Sequence, residues 1–362
     1  MTTPQVNRSA HWGVFILSSI SSIINMLLPL VLVRMLSQQD VGVFKMFFLY
    51  IAMVPFFAFS TGFISGLPYW AGQEQKRTSA IQISGMLILF AAVIASIVSY
   101  FCEGMLAPPF VGVKWVSLLF GLSVLGQVSC SFFEDASVAT GRLYLGVGLS
   151  FTGEFIRTAS IVTVALIYRD ITAVIITHTI ISLVRAAVGI IWARKLNMLG
   201  CDWDFETLKE VVRYALPVST AAVFGFFMGS ADQFILSRNI SAAEFAVYSI
   251  GCLIVPPVIV YEQSVTRVMI PLLAKAFANN DTPRASELYR SAVRTMAFFF
   301  TPLVMGLMVF ASPFFTLLFT DKFSSAAQVF QVAVWLNYFA CIPSDAVPRA
   351  TGKGRWILNE RA

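Results

Sequence analysis

Apolar residues in this chain come in long runs parted by short polar joints. A run of about 20 apolar residues crosses the hydrocarbon core of a bilayer as a helix. Ten such runs are predicted, at about 11–33, 43–69, 80–102, 114–133, 145–168, 171–193, 214–237, 245–270, 291–319 and 326–347. The longest joint, 194–213, is amphipathic and mixed in charge. The next, within 272–290, carries Asn279-Asn280-Asp281-Thr282-Pro283, a turn signal inside an otherwise helical stretch.

One polar joint occurs twice. Residues 34–44 read R-M-L-S-Q-Q-D-V-G-V-F, and 204 positions later residues 238–248 read R-N-I-S-A-A-E-F-A-V-Y. Each copy follows one apolar run and precedes another. Ser37 with Asp40, and Ser241 with Glu244, have capping-box spacing and are predicted to start the second helix of each pair. The other reading of Asp40 is a catalytic acid in an external loop of a polytopic glycosyltransferase. Recurrence of the acid at a capping position favours the structural role.

The duplication runs further. Leu67-Pro68-Tyr69 parallels Ile270-Pro271-Leu272. Asp135-Ala136 followed by Ala139-Thr140-Gly141-Arg142 parallels Asp345-Ala346 followed by Ala350-Thr351-Gly352-Lys353. A repeat of this length implies two lobes rather than a solenoid. The expected fold is all-α: a polytopic membrane protein of about ten transmembrane helices in two parallel-duplicated lobes. The N-terminal six-helix lobe occupies 1–193, a cytoplasmic linker 194–213, and a C-terminal lobe with four helices 214–362. Runs five and six have no second counterpart before the chain stops. A truncated or short member of a family with twelve or more spans is therefore expected.

Composition agrees with the runs. The 362 residues are 57% hydrophobic and 12% charged, about half the charged share of soluble domains. The net charge of +6 then fits basic cytoplasmic loops rather than a nucleic-acid partner. With a cytoplasmic N-terminus, fifteen Lys and Arg fall in cytoplasmic segments and six (Arg34, Lys45, Lys114, Arg169, Arg238 and Lys322) in outer ones. That bias favours this orientation. Cys102, Cys130, Cys201, Cys252 and Cys341 lack paired spacing, so neither a disulfide framework nor a metal site is implied. The first apolar run continues long enough to span, and no removed signal peptide is read.

Polar residues inside spans must face protein or a wet cavity. Ser18, Ser21, Ser22 and Asn25 share one face of run one; Ser123, Gln127, Ser131 and Glu134 share one face of run four. His178, Ser182 and Arg185 follow the same spacing in run six. Serine stripes read equally as close helix packing, whereas Asn25 and Gln127 lean towards a cavity. His178 reads first as a packed, hydrogen-bonded histidine.

Charges carry more information. Arg157 and Arg185 sit near the middle of their runs, where an arginine costs roughly 2.5–3.5 kcal/mol on insertion scales. Glu154 stands three residues before Arg157 and can pair with it; Arg185 has no acid on its own helix. These arginines read as a buried ion pair or as a cationic cavity wall for phosphate, which guanidinium binds bidentately. Asp232, Glu262 (five residues before Arg267) and Glu154 are candidates for binding a coupling cation. Asp232 reads equally as a partner of the loop near Arg238. Pro55 and Pro256-Pro257 interrupt runs two and eight and predict kinks around a central site. Gly352-Lys353 lacks the surrounding residues of a phosphate loop, and no enzymatic motif, cofactor or metal signature stands out.

Several ordered motifs carry a resemblance. They are Leu36-Ser37-x-x-Asp40-Val41-Gly42-Val43-Phe44, Gly62-Phe63-x-x-Gly66-Leu67-Pro68, and Asp232-Gln233-Phe234-Ile235-Leu236. Ser241-Ala242-Ala243-Glu244-Phe245, Pro271-Leu272-Leu273-Ala274 and Ala350-Thr351-Gly352-Lys353 complete the series. The sequence resembles the polysaccharide transporters, the Wzx-type flippases, of the superfamily that also holds the multidrug and toxin exporters. The resemblance implies a non-enzymatic transporter of the bacterial inner membrane. It would flip sugars on an undecaprenyl-diphosphate-type carrier between two lobes, alongside other polysaccharide-assembly proteins. Arg157, Arg185, Asn25, Gln127, Glu134 and His178 would line the cavity. A cation-coupled multidrug exporter and a polytopic glycosyl- or acyltransferase are the alternatives.

Overall fold

The computed structural model describes residues 20, 21, 24, 25 and 27–350, except 74, 102–109, 111, 112, 201–203, 254, 340, 344 and 345. Ser18, Ser22, Cys102, Cys201, Asp345 and the Thr351-Gly352-Lys353 end of the second repeat lie outside the described residues, as does the side chain of Arg267.

All regular structure among the described residues is helical. Residues 27–35 (α1) lead into α2 (Gln38–Phe57), α3 (Ser60–Ala71), α4 (Arg77–Phe101), α5 (Val116–Ala139), α6 (Leu143–Tyr168) and α7 (Ile171–Lys195). Then follow α8 (Phe205–Asn239), α9 (Ala242–Gly251), α10 (Pro256–Ala278), α11 (Thr282–Val309), α12 (Ala311–Phe319), α13 (Ala326–Phe339) and α14 (Ala346–Ala350). Seven of these, α2, α4 to α8 and α11, are long and apolar enough to cross a membrane. The protein is a multi-pass membrane protein. By contacts the chain groups into Met1–Ala243 and Glu244–Ala362, so α8 lies with the helices before it.

Three predicted runs prove to be broken, including runs two and eight, where kinks were expected. Run two splits at Ala58-Phe59, where Phe59 takes a left-handed φ of 56°. Pro55 prepares the break, because it has no N–H to continue the ladder. Run eight splits between Gly251 and Pro256, which sits in the first turn of α10. Run nine splits at Phe310. The first two breaks do not correspond: one falls 21 residues after its capping serine, the other about half as far. The prolines Pro68 and Pro271, by contrast, both sit inside helices, as their paired motifs imply.

Open backbone in hydrocarbon must find partners. At the α2–α3 break the freed Pro55 carbonyl accepts the hydroxyls of Ser60 (2.9 Å) and Thr61 (3.3 Å). Ser219 of α8 finishes the task. Its Oγ donates to the Phe59 carbonyl at 2.8 Å and accepts the Gly62 amide at 3.0 Å. A Cβ at Gly62 would collide with both the Ala215 carbonyl and Ser219 Oγ, so this latch requires glycine. Further contacts fasten α8 along α2 and α3: Lys76 to Glu210 at 2.8 Å, Tyr69 stacked on Tyr214, and Tyr50 Oη to Ser237 Oγ at 3.1 Å.

The capping prediction holds for the first joint. Ser37 Oγ accepts the Asp40 amide at 3.1 Å and donates to Asp40 Oδ2 at 2.6 Å. In the second joint Glu244 lies in the first turn of α9. The Asn279–Asp281 turn also forms: Asn280 is left-handed, and Asp281 Oδ1 accepts the Arg284 amide at 3.0 Å. The second half of the predicted linker is helical, because Asp204 caps α8 through the amides of Glu206 and Thr207.

Helix α5 is the buried centre of the first unit, flanked by α4 and α7. Val128, Phe132, Phe133 and Ala136 are all at most 2% exposed. Gly126 lets the α7 backbone approach at Ser182, where a Cβ would lie 2.7 Å from the Ser182 carbonyl carbon. Ser123 Oγ meets Thr179 Oγ1 at 2.8 Å. This part of the serine stripe is therefore helix glue. In the second unit, α10, α11 and α13 pack around buried Phe300, Phe315, Phe323 and Phe330.

Candidate functional site

Four charged side chains from three adjacent helices of the first unit form one network. Arg185 of α7 donates through Nη2 to Glu134 Oε1 of α5 at 2.7 Å, and through Nη1 to Glu154 Oε1 of α6 at 2.8 Å. The other oxygen of Glu154 accepts a hydrogen bond from Arg157 Nη2. That nitrogen also donates to Asn25 Oδ1 at 2.6 Å. All four charged side chains are buried to between 11 and 18% exposure. Arg185 lacks an acid only along its own helix; two neighbouring helices bring one each. Separation in sequence hid both, whereas the Glu154–Arg157 pair was visible at i, i+3.

Coordination is incomplete. The Nε groups of both arginines are buried without a hydrogen-bond partner in the described structure. Glycine makes room for Arg185: a Cβ at Gly153 would stand 2.8 Å from its Cζ and 2.9 Å from its Cδ. The aliphatic stem of Arg185 and Glu134 form the inner wall of a cavity of about 210 Å³, with Cys130, Thr152 and Gly153. Its mouth, between α6 and α7, is formed by exposed Ile156, Val184 and Val188. The network thus lies one side chain beneath an apolar helix surface.

A second layer surrounds Arg157. Its guanidinium lies 5.7 Å from the Phe48 ring centroid of α2, and the His178 ring lies 4.6 Å from the same ring. His178 is 1% exposed, with Nε2 at 3.5 Å from Ser182 Oγ and Nδ1 without a partner. It is packed as the sequence reading favoured.

Lys45 was missed. The charge count assigned it to an outer segment, but it lies two turns inside α2, half-buried, three residues before Phe48 on the same helix face. Among the described residues no carboxylate lies within ion-pair distance of it. The network itself balances, two arginines against two glutamates, while Asp135 follows Glu134 on α5 and Lys45 adds a cation on α2. Run two, 43–69, already contains Lys45, so counting it among outer-segment charges conflicts with the run itself.

The other expected residues stand apart from the network. Gln127 is half-buried on α5, two turns before Glu134. Ser131 bonds back to the Val128 carbonyl of its own helix at 2.8 Å. Asp232 is exposed on α8. Glu262 belongs to the second unit, where Thr266 Oγ1 donates to its Oε1 at 3.0 Å. Among the described residues no cluster of His, Cys, Asp and Glu could hold a metal ion.

Comparison with known proteins follows the same lines. Residues 31–328 match the model of a family described as "Polysaccharide biosynthesis protein". Over 177 residues the chain is 24% identical to the teichuronic acid biosynthesis protein TuaB of Bacillus subtilis (strain 168). That stretch is 47% of this chain and spans 36% of the relative's length. Among solved structures, the inward-facing conformation of a multidrug resistance MATE family transporter of the MOP superfamily superposes with a TM-score of 0.63 at 15% identity. The match covers 94% of this chain and 83% of that one. A MOP superfamily transporter from Pyrococcus furiosus, described as having a binding pocket of reverse polarity, gives a TM-score of 0.53 at 14% identity, covering 96% and 82%. These likenesses show a shared fold.

Proposed function

The chain belongs to the polysaccharide biosynthesis protein family, and from that premise we propose that it flips an oligosaccharide on a polyprenyl diphosphate across the bacterial inner membrane. The observation that carries this reading is the buried network of Glu134, Glu154, Arg157 and Arg185, with half-buried Lys45 one turn before Phe48, the ring that Arg157 meets. Each unpaired polar group of a sugar or diphosphate costs roughly 2–7 kcal/mol in hydrocarbon. A protein that carries such a headgroup must supply both cations and hydrogen bonds within its spanning helices. The two guanidiniums, with Lys45, suit a diphosphate or an acidic sugar. The lipid tail would stay in the bilayer, and the tandem duplication would supply two lobes that alternate access. Work with other polysaccharide-assembly proteins fits the same reading.

Fold likeness to multidrug transporters keeps a second reading in view, a cation-coupled exporter that uses Asp232 or Glu262. Glu154 suits that task less, since protonating it would strip two arginines of a shared partner. The test is reconstitution of the protein in vesicles carrying a fluorescent polyprenyl-diphosphate sugar, with flipping read by quenching from outside. Arg185→Ala and Arg157→Ala are expected to lower the rate at least tenfold. Unchanged flipping in both, or cation-driven drug efflux that vanishes in Asp232→Asn, would discard the first reading.

A further inference from the structure

We propose that a notch at one end of the first unit binds a phosphate group at the level of the lipid headgroups. The notch is a cavity of about 230 Å³ lined by Arg77, Thr78, Thr140, Arg142 and Asn197, with Ile81 among its apolar lining residues. Arg77 opens α4, Thr140 follows α5, Arg142 precedes α6, and Asn197 follows α7. Four membrane-length helices therefore end here together, which is where headgroups lie. On the orientation that the Lys and Arg count favours, this end faces the cytoplasm. The proposal does not rest on the flippase reading.

The charge in the notch is uncompensated. Its lining contains no carboxylate. Arg77 Nη2 donates to the Thr140 carbonyl at 3.1 Å, which fixes its guanidinium at the cavity and leaves its other donors open. The Arg142 side chain is exposed and makes no ion pair or hydrogen bond among the described residues, so its donors are open to a ligand. Arg194 and Lys195 in the last turn of α7 add positive charge to this end. Two helix N-termini and two C-termini meet here, so their dipoles offset and the guanidiniums decide the sign. Two guanidiniums on one small cavity make it electropositive and favour an anion there.

Phosphate fits this donor set. Guanidinium forks match pairs of phosphate oxygens. Thr78 brings a hydroxyl that has no partner among the described residues. Gln82 Nε2 donates to Asn197 Oδ1 at 3.3 Å, which orients the Asn197 amide and leaves its NH₂ group to donate. The phosphate could be the diester of an anionic phospholipid or a soluble ion, and the two sources can be told apart.

Native mass spectrometry of the full chain in detergent, titrated with phosphatidylglycerol, reads retention directly. Galactosyl diacylglycerol, which carries no phosphate, is the comparison lipid. Preferential retention of phosphatidylglycerol is expected, weakened about fivefold in Arg142→Gln and about 25-fold in Arg77→Gln/Arg142→Gln. Arg77→Gln also removes the bond to Thr140, so Arg142→Gln carries the weight, with a thermal melt to confirm its fold. Phosphatidylglycerol held against millimolar inorganic phosphate assigns the notch to lipid; displacement by it assigns the notch to the soluble anion. Equal retention of both lipids, or retention unchanged in Arg142→Gln, overturns the proposal.

Discussion

Gly153 sets the position of Arg185, because any side chain at 153 would occupy the space that the guanidinium stem crosses. Overfilling a packed site costs about 1–3 kcal/mol, and here the displaced atoms also belong to an ion-pair network. Gly153→Ala is therefore expected to lower the unfolding midpoint in detergent and to slow flipping. Gly148→Ala, five residues earlier on α6 where a Cβ meets nothing, should leave both near the wild type. Equal melts for the two variants would show that Arg185 does not depend on that space. At this scale the sequence exposed the arginines and the Glu154–Arg157 spacing. It could not expose Glu134 as the second partner of Arg185, or Gly153 as its floor, because both come from other helices and only packing brings them together.

Among the elements, the break between α2 and α3 shows how an interrupted span is made tolerable. Ser219 supplies one donor and one acceptor to a backbone that cannot satisfy itself. Ser219→Ala leaves the Phe59 carbonyl and the Gly62 amide open, and is expected to cost about 1–3 kcal/mol per group. Hydrogen exchange at Gly62 should accelerate; protection equal to wild type would show that the latch is dispensable. The start of α8 has its own acid dependence. Asp204 is held below the usual carboxylate range by the Thr207 hydroxyl, then by the Thr207 and Glu206 amides. Its cap thus contributes fully above the unfolded pKa, near pH 4, and is lost as pH falls through the lower folded value. Exchange at Glu206 and Thr207 should rise on acidification in the wild type, and Asp204→Asn should flatten that extra dependence. Run lengths located the spans of this region, although α2 and α3 read as one, and the prolines marked where runs are interrupted. It did not reveal that Phe59 would turn left-handed or that a serine 160 residues away would close the gap.

For the whole molecule, apolar surface and buried charge have to coexist. Cavity-lining Ile156 and Val184 face outward from α6 and α7, while the ionic network lies one layer beneath. Family and fold were legible in the chain because they rest on run lengths and repeated motifs. The cargo was not, because it depends on which charges end up facing one another. Lys45 offers a direct measure of it. A sugar lipid carrying a diphosphate should bind the wild type at least tenfold more tightly than the same lipid without phosphate, and Lys45→Met should narrow that ratio. A ratio near one in the wild type would remove anion recognition from the account. Under the flippase reading, the two glutamates make loading a swap of counter-ions: the diphosphate displaces carboxylates already seated on the guanidiniums. Their dislodging subtracts from affinity, and their return helps eject the lipid on the far side. A site of bare cations would grip harder and empty more slowly, so the acids act as a built-in release.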